Sequence, residues 1–127
     1  EKNGWPVLAT VLDYCTSGVE PARVMAAPIP AIETLLGRNE LTMDDLTYVE
    51  HNEAFAAASC AIAKMCNIPD EKLNPHGGAV AIGHPLGATG ARCLMTLINA
   101  LRRSGGGRGI VTLCLGGGNA VAMLVEA

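Results

Sequence analysis

A single histidine, His84, lies within the stretch "AVAIGHPLGATG" (79–90), between a glycine and a proline. The glycines at 83, 87 and 90 would let a bulky ligand approach the backbone closely. If His84 lies beside a helix N-terminus, the helix dipole disfavours its charged form, and a neutral imidazole can accept a proton from a thiol or donate a hydrogen bond to an oxyanion. A structural histidine in a tight turn that leads into a helix explains the same spacing equally well.

Cys114 is a second candidate, because a run of three glycines (116–118) follows it after one leucine. Backbone amides of such glycines could donate hydrogen bonds to a developing negative charge. A buried thiol in a core strand is the ordinary alternative, and on spacing alone it is the more common one. His51 and His76 are weaker candidates, for which we predict surface or supporting positions.

The hydrophobic pattern predicts the elements that must position these residues. Helical and strand spacings alternate, which is typical of an α/β fold with a mainly parallel sheet covered on both faces. Right-handed crossovers would make the first three strands parallel, and a hairpin would make the last strand antiparallel. The predicted order is a buried strand at 7–14, a helix at about 29–36, a strand at 46–50, a helix at 54–66, a loop at 67–84, a helix that Pro85 opens and "SGGGRG" ends, and strands at 110–115 and 120–125.

This order places three polar side chains at comparable positions. Asn52 follows the strand 46–50, Cys114 lies near the end of the strand 110–115, and His84 precedes a helix that leads to a strand. In an open α/β sheet the carboxyl ends of strands and the N-termini of helices gather at one edge, where ligands bind. We therefore expect the three side chains to converge.

Composition excludes several classes of function. The chain has 127 residues, half of them apolar, which suits one domain with a sizeable core. A net charge of −3 argues against a nucleic-acid partner. Because we find no apolar run as long as a membrane span and no secretory signal, we expect no membrane partner and a cytoplasmic location. The first residue is Glu1 rather than Met, which is typical of a piece of a longer chain.

The five cysteines form no C-x-x-C pair, and an odd number argues against a disulfide framework. Reduced thiols in a cytosol-like compartment are the simplest interpretation, and Cys60, Cys66 and Cys93 fall within helix patterns as expected bystanders. No residues have the spacing of metal ligands, so we expect no metal. "GHPLGATG" does not match a phosphate-binding loop, which argues against nucleotide binding of that kind.

Three segments in order are more specific than any one residue: "HNEAFAA" (51–57), "NPHGGAVAIGHPLGATGAR" (74–92) and "CLGGGNA" (114–120). Together they closely resemble the C-terminal half of the thiolases, the CoA-dependent acyltransferases that make or cleave 3-ketoacyl-CoA. "GVEPARVMAAPIPAI" (18–32) also looks like the family's pattern, so the resemblance covers essentially residues 1–127. It implies a thiolase C-terminal domain with a five-stranded mixed sheet layered between helices, acting on CoA thioesters without a further cofactor.

The resemblance also implies roles for individual residues. Asn52 would hold a water that joins His84 in an oxyanion hole for the thioester carbonyl, and His84 would activate the cysteine that accepts the acyl group. Cys114 would be the acid/base that moves the proton at the α-carbon of the substrate. The amide of Gly116 would contribute to a second oxyanion hole.

One departure concerns the nucleophile, which the family carries in an N-terminal half that this chain lacks, together with the loop region that contacts most of CoA. "CTSG" (15–18) looks like the context of that cysteine. The family places the nucleophile at a helix start, however, whereas Cys15 ends a predicted strand and leads into "GVEP". We therefore predict that Cys15 is a bystander and that the isolated chain is inactive without an N-terminal thiolase domain. Asn119 and His51 also differ from what is usual in relatives, which leaves the preferred acyl-chain length open.

Two other functions compete with this one. Ketoacyl synthases also carry a Gly-His motif before a helix, but they typically use a second histidine where this chain has Cys114. A non-catalytic module that dimerises or packs on a partner is the third possibility. Because a sheet face would be exposed without the other half, we predict self-association of the isolated chain, and a homo-oligomer for the whole protein.

Overall fold

Four stretches rich in branched apolar residues form the strands of one mixed sheet, in a computed structural model that describes residues 3–127. Along the sheet the order is first, fourth, third, second. The fourth strand is antiparallel to both neighbours and the second is parallel to the third, so the first three strands share a direction, as predicted. The strands are β1 (Thr10–Gly18), β2 (Tyr48–His51), β3 (Arg108–Leu115) and β4 (Asn119–Glu126).

β1 differs from the prediction in position and in burial. It begins at Thr10 rather than at residue 7, continues to Gly18, and forms the edge of the sheet beside β4. An edge strand with one covered face buries only alternate residues, so Cys15 is buried whereas Tyr14 is 69% exposed. The prediction of a fully buried first strand was wrong for this reason.

The described residues form four strands rather than the five that the resemblance implies, and a single parallel bridge between Val49 and Leu73 lies beside β2. Val49 donates its amide to the Lys72 carbonyl at 2.8 Å and accepts the Asn74 amide at 2.9 Å. Asn74 then adopts a left-handed backbone with φ of 45°. Because this conformation turns the chain away from β2, pairing stops after one bridge.

Helices cover the two faces of the sheet. α1 (Pro28–Arg38) and α2 (Ala56–Met65) match the predicted helices, whereas α3 (Ala79–Ile82) lies inside the segment predicted as a loop. α4 (Thr89–Arg103) begins four residues after Pro85. A turn closed by the Ala88 amide on the Pro85 carbonyl, at 2.8 Å, occupies the predicted start of α4.

The core has two parts, one on each face of the sheet. α1 packs on β1, β3 and β4, and α4 packs mainly on β2 and β3. Because α4 leaves the same face of β1 and β4 uncovered, an apolar groove of about 360 Å³ remains beside it, lined by Tyr14, Thr16, Leu94, Val121 and Met123 among others. The larger part of the core contains Ile32, Leu35, Ile62, Ile110 and Leu124, and the smaller part contains Cys93, Leu97, Leu101, Val111 and Val125.

Candidate active site

Asn52 and His84, 32 residues apart in the sequence, meet at the end of β2. Asn52 extends the parallel ladder by one residue, because its amide donates to the Thr112 carbonyl on β3 at 3.0 Å. Its side chain is buried, and its Nδ2 lies 3.4 Å from Nε2 of the exposed His84. The amide is therefore held by the sheet, while the imidazole faces solvent.

Thr89 determines which nitrogen of His84 carries the proton. The buried Thr89 hydroxyl lies 2.6 Å from His84 Nδ1 and donates its only hydrogen to the Pro85 carbonyl at 2.9 Å. It must then accept a hydrogen bond from Nδ1–H, which leaves the lone pair of a neutral imidazole on Nε2. Nε2 is the nitrogen that faces Asn52, so the accessible side of the ring is a proton acceptor.

Cys114 lies at the same edge of the sheet. It is two residues after Thr112 on β3, roughly 7 Å along the strand, and opposite Ala120 on β4. Among residues 3–127 the Cys114 thiol makes no hydrogen bond to Asn52 or His84. Its half-buried position raises the pKa of the Cys114 thiol, which a backbone amide partly offsets. A higher pKa makes the corresponding thiolate a stronger base.

Gly116 begins the turn that joins β3 to β4. Its carbonyl accepts the Asn119 side-chain amide at 3.1 Å. A Cβ built on Gly116 would meet nothing within 4 Å, so the space above this glycine is open. The turn therefore leaves room for a ligand beside Cys114.

The ion pair beneath Asn52 was not among the candidates predicted from the sequence. Arg92 of α4 donates from Nη1 to Glu50 Oε1 at 2.6 Å and from Nη2 to Asn52 Oδ1 at 3.5 Å. Glu50 on β2 is 1% exposed, and burial raises its pKa to about 7 although Arg92 opposes that shift. The only sequence signal for this pair was a glutamate inside the short predicted strand that contains "YVEH". Its partner Arg92 lies 42 residues away, so the sequence did not indicate the pairing.

His51 is fully buried, so the part of the prediction that placed it at the surface was wrong, whereas His76 is exposed. Nδ1 of His51 lies 2.9 Å from the Ser59 hydroxyl on α2. Burial lowers the pKa of His51 to about 4, so the ring is neutral at neutral pH. His51 acts inside the molecule as a link between β2 and α2.

The Asn74 side chain ties the glycine-rich segment to the end of β2. Its Oδ1 accepts the His51 amide at 2.8 Å, and its Nδ2 donates to the His51 carbonyl at 3.0 Å and to Glu53 Oε1 at 3.1 Å. The other Glu53 oxygen accepts the Val80 amide of α3 at 2.9 Å. A Cβ on Gly78 would lie 2.5 Å from the Glu53 carboxyl carbon, so only glycine permits this approach.

Cys15 lies on the α1 side of β1. Its thiol is buried and donates to the Ala31 carbonyl at 3.3 Å, and burial raises its pKa. All five cysteines are free. The described part of the chain contains no group of three or more His, Cys, Asp or Glu residues that could hold a metal ion. None of its helices has the length and hydropathy needed to cross a bilayer.

An apolar cavity of about 460 Å³ lies between α2 and the 3-10 turn Pro21–Ala26. Phe55, three residues after Asn52, is 61% exposed and lines it, and Arg23 is its only charged lining residue within the described chain. The same 3-10 turn also packs against the turn Gly116–Gly118. One wall of the cavity, the turn Pro21–Ala26, thus contacts the turn that follows Cys114, although no residue of that turn lines the cavity.

Known proteins are similar to this chain in sequence and in fold. Residues 5–127 match the family model described as the C-terminal domain of thiolase. The chain is 48% identical over 119 residues to the cytosolic acetyl-CoA acetyltransferase of Rattus norvegicus, covering 94% of this chain and 30% of that protein. It is 44% identical to the beta-ketoadipyl-CoA thiolase of Pseudomonas knackmussii, covering 99% and 32% of the two chains.

The crystal structure of Acat5 thiolase from Ascaris suum in complex with coenzyme A has the same fold, with a TM-score of 0.92 and 38% identity. The match covers 98% of this chain and 32% of that one. The chain therefore spans about a third of the length of the relatives it matches.

Proposed function

Because the chain belongs to the thiolase family and spans its C-terminal domain, we propose that it is the C-terminal half of an acyl-CoA C-acyltransferase. The whole enzyme would form or cleave 3-ketoacyl-CoA by Claisen condensation or thiolysis, with CoA thioesters as substrates and no further cofactor. The contact between the Asn52 amide and the unprotonated Nε2 of His84 carries this proposal. The family match gives no support to a ketoacyl synthase.

His84 acts on the nucleophile in this proposal. Nε2 accepts the proton of a cysteine thiol supplied by the N-terminal domain, and the thiolate attacks the carbonyl carbon of an acyl-CoA. The new Nε2–H then donates to the oxyanion, together with a water held by Asn52. Collapse of the tetrahedral intermediate leaves the acyl group on sulfur, and CoA departs with the proton.

Cys114 acts on the second substrate. Its thiolate removes a proton from the α-carbon of acetyl-CoA, and burial, which raises the pKa of this thiol, makes the thiolate the stronger base. The carbanion attacks the carbonyl of the acyl-cysteine, forms the carbon–carbon bond and expels the cysteine thiolate, so that 3-ketoacyl-CoA is released. The proton that Cys114 removed then passes to the expelled thiolate, which restores both cysteines to their starting forms. The Gly116 amide stabilises the enolate oxygen during proton removal, and thiolysis runs the same steps in reverse.

The apolar cavity beside Phe55 is the space that the described chain offers to a thioester substrate. It is lined by Phe55, which follows Asn52, and by the turn Pro21–Ala26, which packs against the turn after Cys114. Its mostly apolar lining suits the uncharged arm of a CoA ester, and Arg23 suits its anionic end.

We infer that the nucleophile comes from outside the chain, and the burial of Cys15, whose thiol donates to the Ala31 carbonyl, supports this inference. We propose that an N-terminal thiolase domain supplies it and covers the groove between α4 and β1. The isolated chain would then be inactive, and the whole enzyme a homo-oligomer. A cytoplasmic location is proposed from the rat and mouse relatives that are described as cytosolic.

The test uses the full-length protein and separates two half-reactions. His84→Ala should lower acyl transfer to the nucleophilic cysteine by about 10²–10⁴-fold, measured with radiolabelled acetyl-CoA. Cys114→Ala should leave that acylation within severalfold of wild type but remove exchange of the α-protons of acetyl-CoA with D₂O.

The matched controls are His76→Ala and Cys60→Ala, both at exposed positions, which should leave both half-reactions unchanged. Wild-type levels of both reactions in His84→Ala or Cys114→Ala would overturn the assigned roles. Thiolysis by the isolated chain that Cys15→Ala removes would show that Cys15 is the nucleophile after all.

A further inference from the structure

We propose that Arg92 is a positioning residue, which fixes the orientation of the Asn52 side-chain amide toward His84, and that Glu50 holds Arg92 in the required place. This inference rests on the proposed function, because it explains how one of the groups assigned to the oxyanion hole is aimed.

The two orientations of the Asn52 side-chain amide differ in energy, because one end of the amide donates hydrogen bonds and the other accepts them. The asparagine amide has an oxygen that accepts and an NH₂ that donates, whereas a guanidinium only donates. Arg92 Nη2 lies 3.5 Å from Asn52 Oδ1, which leaves Nδ2 facing His84 at 3.4 Å. Rotating the amide by half a turn would place NH₂ against the guanidinium and oxygen against the lone pair on Nε2. Both contacts would be repulsive, so Arg92 selects the orientation in which Asn52 donates toward the site.

Glu50 explains why the guanidinium stays in place. Its Oε1 accepts from Arg92 Nη1 at 2.6 Å, and the carboxylate is buried on β2, two residues before Asn52. Charge-assisted hydrogen bonds of this length are strong, and a buried carboxylate that lost its cation would carry a large desolvation cost. The pair therefore resists rotation of Arg92 away from Asn52.

α4 carries both contacts that orient the site. Thr89, its first residue, accepts from His84 Nδ1, and Arg92 follows three residues later, on the neighbouring position of the same helical face. One rigid helix thus sets the relative position of imidazole and amide. Displacement of a reacting group by about 1 Å can cost roughly 10²-fold in rate, so support of this kind matters for turnover.

The experiment is a double-mutant cycle in the full-length protein, with thiolysis of acetoacetyl-CoA as the assay. Glu50→Gln with Arg92→Met removes the pair without leaving an unpaired buried charge, and the combined variant is compared with wild type and in an Asn52→Ala background. We expect kcat to fall about 10–100-fold in the wild-type background with KM changed less than about twofold. In the Asn52→Ala background the same change should lower kcat by less than about twofold, because its effect passes through Asn52.

An equal loss of kcat in both backgrounds would show that the pair acts independently of Asn52 and would overturn the proposal. Arg108→Gln is the matched control, because Arg108 forms an ion pair with Glu126 in which both side chains are more than 40% exposed. It should leave kcat unchanged in both backgrounds.

A crystal structure of the full-length Glu50→Gln, Arg92→Met variant gives a readout that does not depend on activity. We expect the Asn52 side chain to leave His84 or to occupy two orientations, and an Asn52 that stays in place would overturn the proposal. If the wild-type protein shows no thiolysis, the proposed function fails, whereas this structural comparison still decides the role of Arg92.

Discussion

The two ends of the sheet differ in which side chains they bury and which they expose. Around β2, seven polar or charged side chains are buried: Glu50, His51, Asn52, Ser59, Asn74, Thr89 and Thr112. At the β1 end, large apolar side chains are exposed, with Trp5 75% and Tyr14 69% accessible. Buried polar groups are tolerated when they are hydrogen-bonded, whereas exposed apolar patches are typical of interaction surfaces. Within residues 3–127, most buried polar groups at the β2 end are hydrogen-bonded inside the chain, although His51 Nε2 and Glu50 Oε2 have no partner there. The β1 end instead presents exposed apolar side chains.

The largest expected effect comes from a small change at the polar end. Asn52→Asp keeps the size of the side chain but replaces the donating NH₂ with an anionic oxygen beside His84 Nε2. We expect kcat of the full-length protein to fall by about 10²–10³-fold, the usual cost of losing one donor to an oxyanion. Steady-state thiolysis measures the effect, and Asn99→Asp on the exposed face of α4 is the matched control. Equal activity of Asn52→Asp and wild type would mean that the polar end is not the reactive one.

The next effect concerns pH, because two buried groups at the polar end respond in opposite directions. Burial holds the folded-state pKa of His51 at about 4, below the ordinary value of 6.5, so its contribution to stability is complete above pH 6.5 and is lost as pH falls toward 4. Burial raises the folded-state pKa of Glu50 to about 7, above the ordinary value of 4.5, so its contribution to stability is complete below pH 4.5 and is lost as pH rises toward 7.

Variants separate these two contributions. When the pH is lowered from 6.5 to 4.5, the free energy of unfolding of wild type should fall by roughly 2 kcal/mol relative to that of His51→Gln. Over the same change it should rise by a similar amount relative to that of Glu50→Gln. Urea unfolding of the full-length proteins at each pH measures the differences. If the free energy of unfolding changed with pH in the same way in all three proteins, the claim that burial shifts the pKa values of His51 and Glu50 would be contradicted.

The third prediction concerns the apolar end. The isolated chain should self-associate through its exposed sheet face, and Tyr14→Asp should weaken the association by about tenfold, since the aromatic contact is lost and a charge is added. Sedimentation equilibrium measures the change. Met65→Asp, at an exposed apolar position on α2, makes the same change of charge outside the groove and should have little effect. A wild-type chain that stays monomeric at high concentration would contradict the prediction.

The smallest expected effect concerns an exposed ion pair that is part of neither the buried polar cluster nor the exposed apolar surface. Arg108 and Glu126 form an ion pair at 3.0 Å between neighbouring strands, and both side chains are largely hydrated. Arg108→Gln should change the free energy of unfolding by less than about 1 kcal/mol, measured by urea unfolding in moderate salt. A loss well above 1 kcal/mol would mean that hydration does not weaken this ion pair.

The sequence predicted the order and direction of the strands well, because branched apolar runs and the glycine-rich hairpin are local signals. It brought Asn52 and His84 together because the end of a parallel strand and the region before a helix meet at one edge. It could not reveal the contact of Thr89 with His84, since that contact depends on the turn that delays α4. The pairing of Glu50 with Arg92 depends on which face of β2 meets α4, which no local pattern specifies. The expectation of a five-stranded sheet was wrong, because the left-handed backbone at Asn74 ends the pairing beside Val49.

The Asn74 side chain has a consequence for assembly. By accepting the His51 amide and donating to the His51 carbonyl, it makes the two hydrogen bonds that the backbone of a neighbouring strand would make. An open strand edge is a template on which further chains can add, and this side chain blocks such growth at the outer margin of β2. Strand addition is thereby disfavoured beside His51, whereas β1 forms the other edge of the sheet within residues 3–127.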